Sequence, residues 1–417
     1  MNVLFLSLLD FDTFDERNIY SDLLREFIKN GHNVFCISPV ERRNKRSTHM
    51  LRFGNSCILK LKIGNTQKVN IIEKGISTLM IESQFIDGIK RYMSDVKFDF
   101  VLYATPPVTF EKVIRFVKKR DGAVSYLMLK DIFPQNSVDL GMLKKTGIKG
   151  ILYRFFREKE KRLYKISDKI GCMSQANVDY LLRHNPEIPE SKVEICPNCI
   201  DVRDVRLTET EKEEMREKYG IPLNKKVFVY GGNLGKPQNV PFIINCLRAC
   251  SSLDSVYFLI AGSGTDRHLL EDYIRDESPS HVKLLNQIPK DEYDKMIACC
   301  DVGLIFLDHR FTIPNFPSRL LSYMQAGLPV LACTDPNTDI GKTIVEGGFG
   351  WWCESCRYAN FELMISKASL GITRDMSDNS IRYINNYYRS ALAFEMIIDS
   401  ANGWNYETKL TSLDGRA

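Results

Sequence analysis

At 417 residues the chain exceeds what one ordinary hydrophobic core supports, and two domains of α/β size are expected. Its twelve cysteines are scattered, mostly within apolar segments (Cys36, Cys172, Cys246, Cys250, Cys333), which suits a reducing cytoplasm better than a disulfide framework. The formal net charge of +5 is uneven, because residues 1–200 hold 33 Lys+Arg against 23 Asp+Glu while residues 201–417 hold 24 against 29. A basic first half points to a membrane surface or a phosphorylated substrate, and nucleic acid is the weaker option because aromatic-rich reading motifs are missing.

Short apolar runs alternate with helical patterns, the rhythm of parallel sheets covered on both faces. The opening MNVLFLSLLDFD has no basic lead and reads as a buried strand over 3–9 rather than a signal peptide. No later apolar run is long enough to span a bilayer. A helix over 18–30, a stop at Gly31 and a strand over 34–38 complete one βαβ unit. A strand near 57–63, a helix over 71–93 and strands over 100–103 and 124–129 follow. Ligands of open parallel sheets sit outside the carboxyl ends of the strands, which places Asp10, Thr105, Lys130 and Asp131 on the functional rim.

Between 141 and 169 the chain turns basic with aromatics interleaved. Ile148, Ile151, Leu152, Phe155, Phe156, Leu163 and Ile166 fall on one helical face, and Tyr153, Arg157, Lys161, Tyr164 and Lys165 on the other. This is either a sheet-covering helix with a solvated charged face or a contact with an anionic membrane. Strands over 169–173 and 193–196 enclose a helix over 175–183. The domain boundary is expected near 201–207, because an acidic helix over 209–219 then opens a second βα series. A strand over 227–230 runs into Gly231 to Gly235, and a strand over 256–261 into Gly262, Ser263 and Gly264. Such turns let backbone approach a phosphate or sugar, although a tight strand-to-helix turn explains either one. Residues 374–400 read as helix broken near Asn385 or Asn386.

The stretch TIPNFPSRLLSYMQAGLPVLACT, residues 312–334, combines a loop, a helix start and a buried strand. Pro314 and Pro317 forbid a helix through the loop, Ser318 can cap a helix running to about Gln325, and Ala326, Gly327 and Pro329 end it before a strand over 330–332. Arg319 in the first turn opposes the helix dipole unless an anion joins it. A surface Arg beside an ordinary capped helix is the alternative. Of other constellations, Asp10-Phe11-Asp12 could hold a divalent ion on a nucleotide-sugar but reads more simply as a solvated loop. The pairs Cys196/Cys199 and Cys353/Cys356 are too far apart in sequence for a zinc ribbon.

Several blocks resemble the glycosyltransferases of family 4: DIFPQNSVDLGML, which is similar to the Asp-Leu-Trp-Pro-Glu-Ser block of cell-surface polysaccharide transferases, with EICPNCIDV, YGGNLGKPQ, FLIAGSGTDRHLLE and PSRLLSYMQAGLPVLA. The resemblance covers nearly the whole chain and implies the GT-B fold, α/β, with two Rossmann-like doubly wound domains facing a central cleft. It implies an acceptor-side domain over 1–203, a nucleotide-sugar donor domain over 204–385, and a C-terminal helix over 386–417 returning to the first. By the same resemblance Gly232, Asn233, Leu234, Gly235, Gln238 and Arg319 face the donor diphosphate, Lys236 offers a second cation there, Pro317, Ser318 and Leu320 complete the donor-binding set, and Ser322 stands at the position that meets the ribose. Gly262, Ser263, Gly264 and Gln287 lie near the nucleoside, Lys130 and Asp131 face the transferred sugar, and Asp10, Arg17 and Thr105 stand on the acceptor side. The family's two Glu, eight positions apart, are replaced here by Pro314 and Ser322. Asn233 and Gln238 stand where many members have Arg and Lys, and Lys130 where many have His.

The implied activity is transfer of a sugar, with retention, from a UDP-sugar to a polyprenyl-diphosphate-linked glycan at the cytoplasmic membrane face, in capsule, exopolysaccharide or O-antigen assembly and without metal or cofactor. A non-catalytic scaffold of this fold and a UDP-sugar epimerase are the alternatives.

Overall fold

A computed structural model of the chain describes residues 1–65, 71–286 and 288–414. Residues 1–201, together with the chain from Ser390 onward, form one compact unit, and Val202–Arg389 form a second.

The first unit is built on strands β1 (Asn2–Leu6), β2 (Asn33–Glu41), β3 (His49–Phe53), β4 (Ser56–Ile63), β5 (Phe100–Ala104), β6 (Val124–Leu129), β7 (Lys169–Cys172) and β8 (Val193–Ile195). They lie in the order β3-β4-β2-β1-β5-β6-β7-β8. All neighbours pair parallel except the β3–β4 hairpin, which no alternation in the sequence announced. Val3, Leu4, Phe5 and Leu6 are fully buried, as a strand covered on both faces requires. The helix Ile19–Lys29 starts where Asn18 accepts hydrogen bonds from the amides of Tyr20 and Ser21, and it packs Leu23, Leu24 and Phe27 onto the sheet.

The helix Ser390–Asp414 belongs to this unit, where Ala393, Phe394, Ile397 and Ala401 join its core. The Phe394 ring meets Phe27 edge-on at 4.9 Å, and Ser390 N–H donates to Ile200 O. The preceding helix runs Arg374–Tyr387, so the break falls two or three residues later than the Asn385–Asn386 pair suggests.

The helix Gly147–Ile166 corrects the expected facing. Ile148, Ile151, Leu152 and Phe155 point to solvent, while Gly150, Glu160, Leu163 and Tyr164 are buried. Polar pairing explains the reversal, since Arg157 binds Glu160 and Asn185 and Tyr164 Oη donates to Glu160. Among the described residues no helix is long and apolar enough to cross a membrane.

The second unit carries β9 (Lys226–Asn233), β10 (Val256–Ser263), β11 (Val282–Leu285), β12 (Val302–Phe306), β13 (Val330–Thr334) and β14 (Gly350–Glu354), all parallel in the order β11-β10-β9-β12-β13-β14. Its entry helix, Glu209–Lys218, is fixed by a capping box between Thr208 and Glu211. Both sheets are therefore Rossmann-like and doubly wound, with strand order reversing beside β1 and beside β9.

Candidate active site

At the carboxyl end of β9 the backbone reaches Gly232 at φ +125°, a conformation glycine adopts without a side-chain clash. A Cβ added to Gly232 would stand 3.4 Å from the Arg319 guanidinium, which lies over this point. Its carbon stands 4.4 Å from the centre of the Tyr230 ring, a cation–π contact. Tyr230 Oη donates to Asn233 O at 2.6 Å, so one side chain supports both the turn and the cation. Tyr323, one turn after Arg319, accepts from Gly231 N and donates to Leu304 O. A Cβ on Gly231 would fall 1.7 Å from Tyr293 Oη, so glycine is obligatory there to admit the ring. Arg319 Nη1 is buried and, among the described residues, has no hydrogen-bond partner. An unpaired guanidinium nitrogen shielded from water is costly unless something anionic comes to it.

The other glycines serve packing. A Cβ on Gly262 would sit 1.9 Å from Gly232 O, and one on Gly264 would sit 2.2 Å from Leu234 O. The β9 and β10 turns thus interlock through their backbones. Leu234 N–H donates to Ser263 O and Gly235 N–H to Gln238 Oε1, which also takes a bond from Asn233 Nδ2. Gln238 is buried and holds the turn closed, Lys236 is exposed on it, and the Leu234 and Leu320 side chains lie wholly in the core.

The helix after Pro317 spans Arg319–Gln325, only seven residues, and Ser318 makes no side-chain cap. Leu320 N–H and Leu321 N–H bond back to Pro317 O and Ser318 O, a tight first turn that occupies amides expected to be free. The anion site therefore rests on the Arg319 side chain rather than on the helix end. Ser318 is exposed, and Ser322 and Pro317 are half-buried. The loop before Arg319 is pinned by Asn337 Nδ2 to Phe311 O and Thr338 Oγ1 to Asn315 O. Asp335, at the end of β13, accepts from the amides of Asn337 and Thr338, and burial pushes its carboxyl up to about 6. Gln287 lies outside the described residues.

In the first unit Thr105, after β5, accepts from the Lys130 and Asp131 amides and donates to Asp131 O, which locks the end of β6. Lys130 Nζ donates to Cys196 O and Pro197 O at 3.4 and 3.3 Å. Asn136 Nδ2 donates to both carboxylate oxygens of Asp131 at 2.8 Å, yet burial still pushes that carboxyl up to about 6. Arg17 is half-buried just before the Asn18 cap.

Asp10 belongs to a separate cluster. The wholly buried Lys60 ammonium meets Asp10 Oδ1 at 2.5 Å, Asp12 Oδ1 at 2.9 Å, Phe11 O at 2.7 Å and Ser38 Oγ at 2.9 Å. Arg46 adds a second cation to Asp12 and, with Lys60, holds its carboxyl below the usual range. A side-chain ammonium thus sits between the two carboxylates of the D-x-D. Lys60 was not singled out from the sequence although its signal was there, a lysine following the apolar run Cys57, Ile58 and Leu59 and followed by Leu61. Tyr230, Tyr293, Tyr323 and Asn136 gave no such signal, because aromatics and amides of that kind are ordinary in strands and helices.

The two sheets and the helix returning to the first unit are those of the GT-B fold. Sucrose-phosphate synthase from Thermosynechococcus elongatus has a TM-score of 0.75 to this chain over 99% of each chain, at 12% identity. The Anabaena protein HepE, solved in complex with UDP and glucose, has a TM-score of 0.68 over 97% of this chain and 100% of its own, also at 12% identity.

Residues 211–376, the segment that carries Gly232 and Arg319, match the family described as glycosyl transferases group 1. A probable glycosyltransferase, WbjE of Pseudomonas aeruginosa, is 24% identical over 294 residues, which is 70% of this chain and 71% of that protein. A putative colanic acid biosynthesis glycosyl transferase, WcaI of Escherichia coli, is 21% identical over 250 residues, 58% of this chain and 59% of WcaI.

Proposed function

We propose that the protein is a glycosyltransferase of polysaccharide assembly that moves a hexose or N-acetylhexosamine, with retention, from a UDP-sugar to a polyprenyl-diphosphate-linked glycan. The observation that carries the reading is Arg319, whose buried Nη1 lacks a partner among the described residues, beside the open backbone of Gly232. As the bond between the sugar and the diphosphate breaks, negative charge gathers on the leaving group, and a preorganised guanidinium stabilises that state more than the ground state. Lys236 is the second cation at the turn. In the first unit, Lys130 and Asp131 orient the sugar and the acceptor hydroxyl. The charge work falls to side-chain cations, with Lys60 already between the carboxylates that would otherwise recruit a metal.

UDP in the HepE structure and colanic acid in the description of WcaI support the donor and the pathway class. The reaction belongs at the cytoplasmic membrane face, where a lipid-linked acceptor is held, with residues 141–169 toward the lipid. Calorimetric titration with UDP tests the reading, and micromolar binding is expected. No heat with UDP leaves a non-catalytic scaffold, and a new UDP-sugar formed without acceptor identifies an epimerase instead.

A further inference from the structure

The first half of the helix Gly147–Ile166 turns its apolar residues outward. Ile148 is 89% exposed, Ile151 62%, Leu152 44% and Phe155 40%, and Met142 in the preceding loop is 41% exposed. Their spacing makes the four helical residues one stripe along one face. Single exposed apolar residues are ordinary, whereas a contiguous row marks a contact surface. The second half of the same helix does the packing through Leu163 and Tyr164 and through the ion pairs Arg157–Glu160 and Lys159–Glu82. The stripe is therefore not needed to hold the helix in place.

Charge identifies what covers it. Residues 141–157 contain five Lys or Arg and no Asp or Glu. At 100° per residue, Lys149 and Arg154 project roughly 110° to either side of the stripe. Among the described residues Lys144, Lys149 and Arg154 form no ion pair, and all three are exposed. Cations on both flanks and in the loop match a laterally continuous anionic plane. A second copy of the chain would set these cations against themselves, because an isologous contact repeats the same patch.

Resting on the membrane-surface reading of the acceptor, we propose that this face docks on an anionic bilayer. Ile148, Ile151, Leu152 and Phe155 enter the boundary between headgroups and acyl chains, and Lys144, Lys149 and Arg154 engage lipid phosphates. This differs from an attachment through Arg157 and Lys161, which are tied to Glu160 and Glu187.

The test is co-sedimentation with vesicles of equal phosphatidylglycerol and phosphatidylcholine, and with phosphatidylcholine alone. Wild type should bind the anionic vesicles at least tenfold better. I148E/I151E should lose at least tenfold at every salt concentration, whereas K144E/K149E should lose tenfold at low salt and converge on wild type as salt rises. Both variants should keep wild-type melting temperature and UDP affinity, which separates docking from folding and from donor binding. Undiminished vesicle binding by I148E/I151E would overturn the proposal. So would a wild-type dimer in sedimentation velocity that I148E/I151E dissociates, since the stripe would then be a protein interface. Vesicle binding without UDP binding would sink the catalytic reading and leave the docking face standing.

Discussion

The Arg319 guanidinium rests on the Tyr230 ring at 4.4 Å, an arrangement that orients the cation without consuming its Nη1. Arg319→Ala should therefore cost about 2 to 4 kcal/mol of transition-state stabilisation, roughly one and a half to three decades in rate. Arg319→Lys should recover part of it, as a point charge lacks the planar fork. Tyr230→Phe keeps the ring face and should stay within about threefold of wild type, whereas Tyr230→Leu removes it and should lose about tenfold in kcat with a smaller change in UDP affinity. Equal losses for Phe and Leu would show that the hydroxyl bond to Asn233, not the ring, is what matters. Asp131 titrates near 6 because burial disfavours its charge, well above its unfolded value of 3.8. The fold then binds this proton more tightly than the unfolded chain does, so its stabilisation is present below 3.8 and lost as pH rises through 6. Asp131→Asn should accordingly gain in melting temperature relative to wild type between pH 4 and pH 6 and hold that gain above. A difference independent of pH across that window would show an unshifted carboxyl. Asp335 contributes in the same direction in both proteins and cancels from the comparison.

The Lys60 cluster ties β4 to the loop after β1 and depends on both partners being present. Asp10→Asn with Asp12→Asn strands a buried ammonium on Phe11 O and Ser38 Oγ, which should cost about 3 to 5 kcal/mol. Adding Lys60→Met should restore part of that stability even though it removes a further polar contact, and urea unfolding of the two proteins decides it. A triple variant weaker than the double would mean that Lys60 is held mainly by its neutral partners. Strand positions were largely legible from the sequence, because buried parallel strands such as β5 read as unbroken apolar runs bounded by polar residues. The β3–β4 hairpin was not, since His49–Phe53 is half-exposed and has no alternation. Nor was the facing of the helix Gly147–Ile166, where a buried Glu160 paired with Arg157 outweighs the apolar periodicity. At the candidate site the glycine turns stood out in the sequence, but their division of labour did not. That Gly262 and Gly264 admit backbone while Gly232 lies under a guanidinium is a matter of distances between segments, which one-dimensional spacing does not carry.

Each of the two compact units has its own core, one around Phe5, Phe27 and Phe100 and one around Phe228, Phe258 and Phe306. The chain leaves the first unit after Asp201 and returns at Ser390. A ligand that binds one unit stabilises that unit by mass action, by about 2.7 kcal/mol at a hundredfold excess over its dissociation constant. The features argued to hold the UDP diphosphate, Gly232, Arg319 and Tyr230, all lie in Val202–Arg389. UDP should consequently slow hydrogen exchange in peptides containing residues 230–238, 262–264 and 311–323, where opening must break the bonds of Gln238, Thr338 and Asn337 before amides exchange. Peptides around Thr105 and residues 130–136 should be unaffected by UDP alone and should respond only when a UDP-sugar is supplied, if Lys130 and Asp131 orient the sugar as proposed. Equal protection of both sets by UDP would move Lys130 and Asp131 from sugar orientation to nucleotide binding. Protection that persists in Arg319→Ala at matched saturation, with turnover lost, would assign the cation to charge stabilisation in the transition state rather than to ground-state grip.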